Sequence, residues 1–196
     1  MEEKKLFDIV RQFCVEGEPL SVKPLGEGGF INDTYKVVTH GDSPDYLLQR
    51  KNGSVFPDIP AIMDNTRRVT DHLRQKVGEA GGDTLREVLT PVAAVADPSR
   101  LWVKDDQGEY WTMCVFIPGS VTLQSVDSPA VAEAGGRGIG RFHRMMADFQ
   151  GELAPSIPGF HNLRLRFSQW DEAVKADRVG PVSYTHLRAH ETRHDL

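Results

Sequence analysis

The sequence predicts an α+β protein: an antiparallel sheet of about five strands holding one inserted helix, followed by helices alone. Three observations carry that prediction. Strand-like runs separated by turn residues cluster between residues 20 and 50. A helix-period segment over residues 58–77 interrupts them before strand-like runs resume as far as residue 117. Pro118-Gly119 then ends the strand character, and only helical patterns follow.

The elements follow in order. Leu6, Ile9, Val10 and Phe13 recur at helical spacing, which predicts a surface helix over residues 2–15, stopped by Gly17 and Pro19. Residues 20–39 read as strand, glycine turn, strand. His40 to Asp45 is a loop rich in Gly, Asp, Ser and Pro, and Tyr46-Leu-Leu-Gln-Arg50 is a third strand. Three strands this close in sequence make an antiparallel meander. Ile59, Ile62, Val69, Leu73 and Val77 give the inserted helix, which tolerates Pro60 in its first turn and stops at Gly78, Gly81 and Gly82. Residues 88–95, 100–104 and 109–117 read as strands, the last two joined by the turn Asp105-Asp-Gln-Gly108. Helices are predicted over residues 129–149 and 163–176. The expected organisation is a sheet lobe over residues 1–117, the start of a helical lobe over 118–181, and a tail over 182–196.

Composition excludes several classes. The 196 residues carry 23 Lys+Arg against 28 Asp+Glu, a net charge of −5. That balance argues against a generally basic nucleic-acid binder. No apolar run approaches the ~18 residues of a membrane span. Met-Glu-Glu-Lys-Lys leads into an amphipathic pattern and not a signal peptide. Cys14 and Cys114 lie far apart without metal-ligand spacing, so reduced thiols and a cytoplasmic location are expected.

The most informative segment is the glycine turn. Gly26-x-Gly28-Gly29 between antiparallel strands differs from a dinucleotide fingerprint, which needs strand–turn–helix and a third glycine where Ile31 stands. Such hairpins let backbone N–H groups approach phosphate oxygens, as kinase-like folds do over ATP. Those folds also place a cation on the third strand and a carboxylate on the next helix. Here the third strand ends Gln49-Arg50-Lys51 and the helix carries Asp64. Alternation sets Tyr46, Leu48 and Arg50 on one face and Leu47, Gln49 and Lys51 on the other. We favour Arg50 as the phosphate cation, with Leu48 packing on the adenine.

Gly26-Glu-Gly-Gly-Phe-Ile-Asn-Asp-Thr-Tyr35, Tyr46-Leu-Leu-Gln-Arg-Lys-Asn52, Val55-Phe56, Met63-Asp-Asn65, Val69-Thr-Asp-His-Leu73 and Ile157-Pro-Gly-Phe-His-Asn162 together resemble the N-acetylhexosamine 1-kinases. These belong to the aminoglycoside-phosphotransferase-like, choline-kinase-like group. The resemblance covers residues 3–180 and implies a protein-kinase-like N-lobe followed by the first helices of an incomplete C-lobe. It implies ATP- and Mg²⁺-dependent phosphorylation of the anomeric hydroxyl of an N-acetylated hexosamine. It places Gly26, Gly28 and Gly29 over the phosphates, with Asn32 and Asp33 closing that loop. Arg50 or Gln49 takes the phosphate-holding position, and Asp64 stands where a glutamate is expected. Residues 113–117, with Met113, Val115 and Ile117, form the hinge that bonds adenine.

The expected catalytic loop, an aspartate followed five residues later by asparagine, is absent from the sequence. His40-Gly41-Asp42 has Leu47 five residues after its aspartate and lies in a turn. His186, His190 and His194 repeat at helical spacing and suggest zinc. However, Val182-Ser-Tyr-Thr-His-Leu-Arg-Ala-His-Glu-Thr192 resembles a translated sequencing adapter, so residues 182–196 are set aside as a non-native tail. His143 is expected to pack or cap a helix, and Gly135 to Gly140 to sit within one. The expected function is a small-molecule kinase that is catalytically incomplete in this chain, binding ATP and a small substrate but neither nucleic acid nor membrane. An aminoglycoside- or choline-type kinase and a non-catalytic nucleotide-binding module are the alternatives.

Overall fold

The structure, a computed structural model, describes residues 3–26, 31–123 and 125–178. The chain divides into two compact units, residues 1–156 and residues 157–196.

The first unit is built on one antiparallel sheet. Its strands are β1 (Pro19–Pro24), β2 (Asp33–Thr39), β3 (Tyr46–Arg50), β4 (Val103–Lys104) and β5 (Tyr110–Val115), in spatial order β1-β2-β3-β5-β4. The sequence meander appears as expected, with Tyr35 opposite Leu48 and Leu48 opposite Met113. Gly108 at φ +84° makes the tight β4–β5 turn, a conformation that suits glycine.

A helix covers each side of the sheet. The stripe of α1 (Glu3–Val10) buries Leu6, Ile9 and Val10, with Phe13, against Val22, Val37, Tyr46, Leu48, Trp111 and Met113. Ile59 and Met63 of α2 (Ile59–Glu79) pack instead with Leu101, Trp102 and Tyr110. Trp102, just before β4, and Tyr110 of β5 each precede a core residue, Val103 and Trp111, and point to the other side, so α2 lies on the opposite side. Asp58 caps α2 by accepting the Ala61 N–H at 3.0 Å, and Pro60 sits in the first turn as expected.

Three expectations need correction. The first helix ends at Val10, because Phe13 forms a β-bridge with Ala94 and Cys14 N–H donates to Ala93 O at 2.8 Å. Residues 88–95 form no strand. Pro91 has no N–H to donate, and the segment makes only isolated bridges at Pro91 and Ala94. The strand expected over 100–104 shrinks to Val103–Lys104. A short helix that the sequence reading lacked, α3 (Thr84–Glu87), is capped by Asp83.

The next helix, α4 (Pro129–Met146), falls where the pattern placed it, with Ser128 as its cap. It contains Gly135 to Gly140 and His143, has no buried residue, and leaves Ile139 and Phe142 exposed. One polar stripe of α2 grips the end of α4 and the segment that follows. Asn65 Nδ2–H donates to Ala154 O at 2.7 Å and Oδ1 accepts Ala154 N–H at 2.9 Å. Arg68 donates to Glu152 O, His72 Nε2–H donates to Met145 O at 2.7 Å, and Lys76 pairs with Asp148. In the second unit, α5 (Leu163–Ala176) matches the expected span and is capped by Asn162.

Asp105 organises the β4–β5 turn and sets a pH dependence. Burial opposes its charge, but the Glu109 N–H, Trp111 Nε1–H, Lys5 and the Gln107 N–H outweigh it and hold the carboxyl below its usual value. A carboxyl depressed in the folded state contributes stability in full above its unfolded pKa, about 3.9. That contribution is lost as pH falls through the folded value. Thermal melts across the acid range are therefore expected to show Asp105→Asn destabilised at neutral pH, with the gap to the parent closing below about pH 4.

Candidate functional site

The pleat of β3 decides which side chains can serve a ligand. Tyr46 and Leu48 are 2% and 0% exposed and lie in the core beneath α1. Leu48 therefore cannot pack on a base, which corrects the favoured reading. Arg50 shares that face, and its guanidinium pairs with Asp33, its cross-strand neighbour. It does not pair with Asp64, which is exposed on α2 and makes no side-chain hydrogen bond or ion pair among the described residues.

The other face, on the α2 side, carries Leu47, Gln49 and Lys51. Gln49 Nε2–H donates to Thr34 Oγ1 at 3.2 Å, and its Oε1 accepts from Lys51 Nζ at 2.8 Å. Opposite Leu47 and Gln49 on β5 stand Cys114 and Thr112. Burial lowers the Lys51 pKa, and the nearby Cys114 only partly offsets it; no carboxylate pairs with Lys51 among the described residues. Burial pushes the Cys114 thiol up, with Lys51 acting in the opposite sense. A half-buried cation steadied by one neutral amide is costly to keep unpaired, which marks it as a place for an anion. Sequence reasoning named Gln49 and Arg50 and passed over Lys51. Its i, i+2 relation to Gln49 was the available signal.

A cavity of about 550 Å³ opens at this end of the sheet, lined by Asp33, Arg50, Lys51, Asn52, Glu109 and Tyr110 among others. The hairpin base borders it. Gly26 has φ +74°, Leu25 N–H donates to Thr34 O at 2.9 Å, and Asn32 Oδ1 accepts the Asn52 N–H at 3.1 Å. Gly28 and Gly29 lie outside the described residues, as do residues 182–196 with their three histidines.

At the other end of β5 the hinge expectation narrows. Met113 O already accepts from Val92 N–H, Val115 N–H donates to Thr90 O, and Phe116 N–H donates to Asp45 O. Those Met113 and Val115 groups are committed to the fold and not open to a base. The Ile117 N–H and Phe116 C=O make no hydrogen bond among the described residues. From Leu47 to Lys51 is four residues, or ~13 Å at ~3.3 Å per residue, so these two side chains stand at opposite ends of one face.

His40-Gly41-Asp42 lies in the β2–β3 turn, where Gly41 has φ +69°. His161 contacts Phe160 within the second unit. Among the described residues no group of three or more His, Cys, Asp or Glu is placed to hold a metal ion, and no helix is long and apolar enough to cross a membrane.

The sequence model of a phosphotransferase enzyme family (APH) matches residues 21–191. Among solved structures, the chain is similar to spectinomycin phosphotransferase APH(9)-Ia in complex with ADP and spectinomycin, at 11% identity and a TM-score of 0.48. The match covers 78% of this chain and 39% of that one.

Proposed function

The chain belongs to the phosphotransferase enzyme family, and from that premise we propose that the α2-side face of its sheet holds ATP for phosphoryl transfer to a hydroxyl of a small molecule. The sheet with α2 is the kinase-like N-lobe of that family. The observation that carries the reading is Lys51: a half-buried cation without a carboxylate partner among the described residues, steadied by Gln49 on the face that looks toward α2. Its ammonium holds the phosphates and Gln49 aims it. Leu47 offers apolar surface to the base, while the Ile117 N–H and Phe116 C=O supply a donor and an acceptor at the far end. The glycine hairpin of Gly26, Gly28 and Gly29 covers the phosphates. Phosphoryl transfer asks mainly for positioning and charge stabilisation, and these residues supply both.

The acceptor we propose is the anomeric hydroxyl of an N-acetylated hexosamine, on the resemblance carried by the segments around Asn32, Asn52, Asn65 and Asn162. Mg²⁺ accompanies the phosphates, with its ligands expected elsewhere than among the described residues. The sheet lobe over residues 1–117 binds nucleotide, residues 118–181 begin the helical lobe, and the protein works in the cytoplasm.

Calorimetric titration of the chain tests this. ATP and ADP are expected to bind, with adenosine much weaker, and N-acetylglucosamine is expected to stay unphosphorylated because the sequence lacks the proton-accepting aspartate. Failure of ATP to bind at millimolar concentration would overturn the reading.

A further inference from the structure

Two ties fasten the base of the β1–β2 hairpin to the exit of β3. Asp33, the first residue of β2, sits directly opposite Arg50, the last of β3, and their side chains form an ion pair. One residue earlier, Asn32 Oδ1 accepts the backbone N–H of Asn52, just past the end of β3. Opposite charges facing each other across a ladder stabilise that rung, and Arg presents a planar fork suited to a carboxylate. The pleat sets Arg50 on the face opposite Gln49, although Arg50 and Lys51 both line the cavity at this end of the sheet.

We propose that Arg50 is a positioning residue and not a phosphate ligand: paired with Asp33, it latches the hairpin base onto the strand that carries Lys51. The pair is partly exposed, with 36% and 47% of the two side chains accessible, so its direct energetic worth is modest and its value is geometric. It registers the first residue of β2 against the last residue of β3. The consequence for ATP rests on the nucleotide reading above, whereas the latch itself does not.

Charge exchange tests it in the full chain, using Arg50→Asp, Asp33→Arg and the two together. Each single variant is expected to speed hydrogen exchange at the Leu25 amide, which bonds Thr34 O beside the latch, and to weaken ATP binding by about three- to five-fold. Adenosine affinity should hold. The exchanged pair should restore both the Leu25 protection and the ATP affinity. If a reversal prevents folding, Arg50→Gln and Asp33→Asn give the same coupling without like charges facing each other. Two results would overturn the proposal. One is ATP affinity in the exchanged pair as weak as in Arg50→Asp, which would make Arg50 a direct phosphate contact. The other is unchanged Leu25 exchange in both singles. If the parent bound no ATP, the nucleotide reading would fall while the exchange arm still decided the latch.

Discussion

Replacing Lys51 by methionine is expected to weaken ATP binding roughly 10- to 100-fold, since a charged donor to phosphate contributes about 1.5–3 kcal/mol. Adenosine binding should change little, because Leu47 and the Ile117 N–H are untouched. The same substitution is expected to raise the melting temperature of the ligand-free protein. Burial lowers the folded-state pKa of Lys51, so between the folded and unfolded values the unfolded chain binds more protons and stability climbs with pH. At neutral pH the charged lysine therefore costs stability, and an unbranched apolar side chain removes that cost while keeping the packing of the stem. Calorimetry and thermal melts on one pair of proteins read both effects. Unchanged ATP affinity in Lys51→Met would withdraw the α2-side face as the phosphate site.

The largest loss of stability is expected from Trp111→Ala. Trp111 is fully buried, lies 6.0 Å from the Tyr35 ring between centroids, and donates its Nε1–H to Asp105 at 3.1 Å. Truncating such a residue costs about 3–5 kcal/mol, set against a total stability of about 5–15 kcal/mol for a domain. It also removes one of the donors that keep the Asp105 carboxylate charged. Trp111→Phe keeps most of the packing and loses chiefly the hydrogen bond, so it should cost about 1 kcal/mol from that source. Denaturant unfolding followed by circular dichroism ranks the three proteins. A parent-like midpoint for the alanine variant would contradict the core described around β5.

Much of this fold was legible because the signals are local. Tyr46 to Arg50 is a short run bounded by turn residues, so β3 matches the expected strand end to end. The Asp105 to Gly108 turn and the Asn162-capped α5 carry their own start and stop chemistry. The failures share a different cause. Each face of β3 offers an apolar residue and a cation, Leu48 with Arg50 or Leu47 with Lys51, and no pattern within the strand chooses between them. The choice is made by Leu6, Ile9 and Val10, some forty residues upstream, which bury Tyr46 and Leu48 on one face and leave Leu47, Gln49 and Lys51 to the other. Phe13 kept the helical period yet was drawn into a bridge with Ala94, a partner far along the chain. The apolar run at residues 88–95 resembled a strand, but Pro91 interrupts its pairing. For the hinge, the family resemblance named residues 113–117. Only the hydrogen bonds of Met113 and Val115 show which backbone groups remain open.

The grip of Asn65, Arg68, His72 and Lys76 on the end of α4 and the chain after it makes α2 and that chain a single lever. Four side chains spread over three turns resist tilting far better than one contact at a single height, so torque applied to the trailing segment reaches the start of α2 with little slack. There Ile59 and Met63 abut Tyr110, which walls the cavity. A helix moored in this way cannot serve as a freely swinging on–off arm; if it moves, its mooring moves with it.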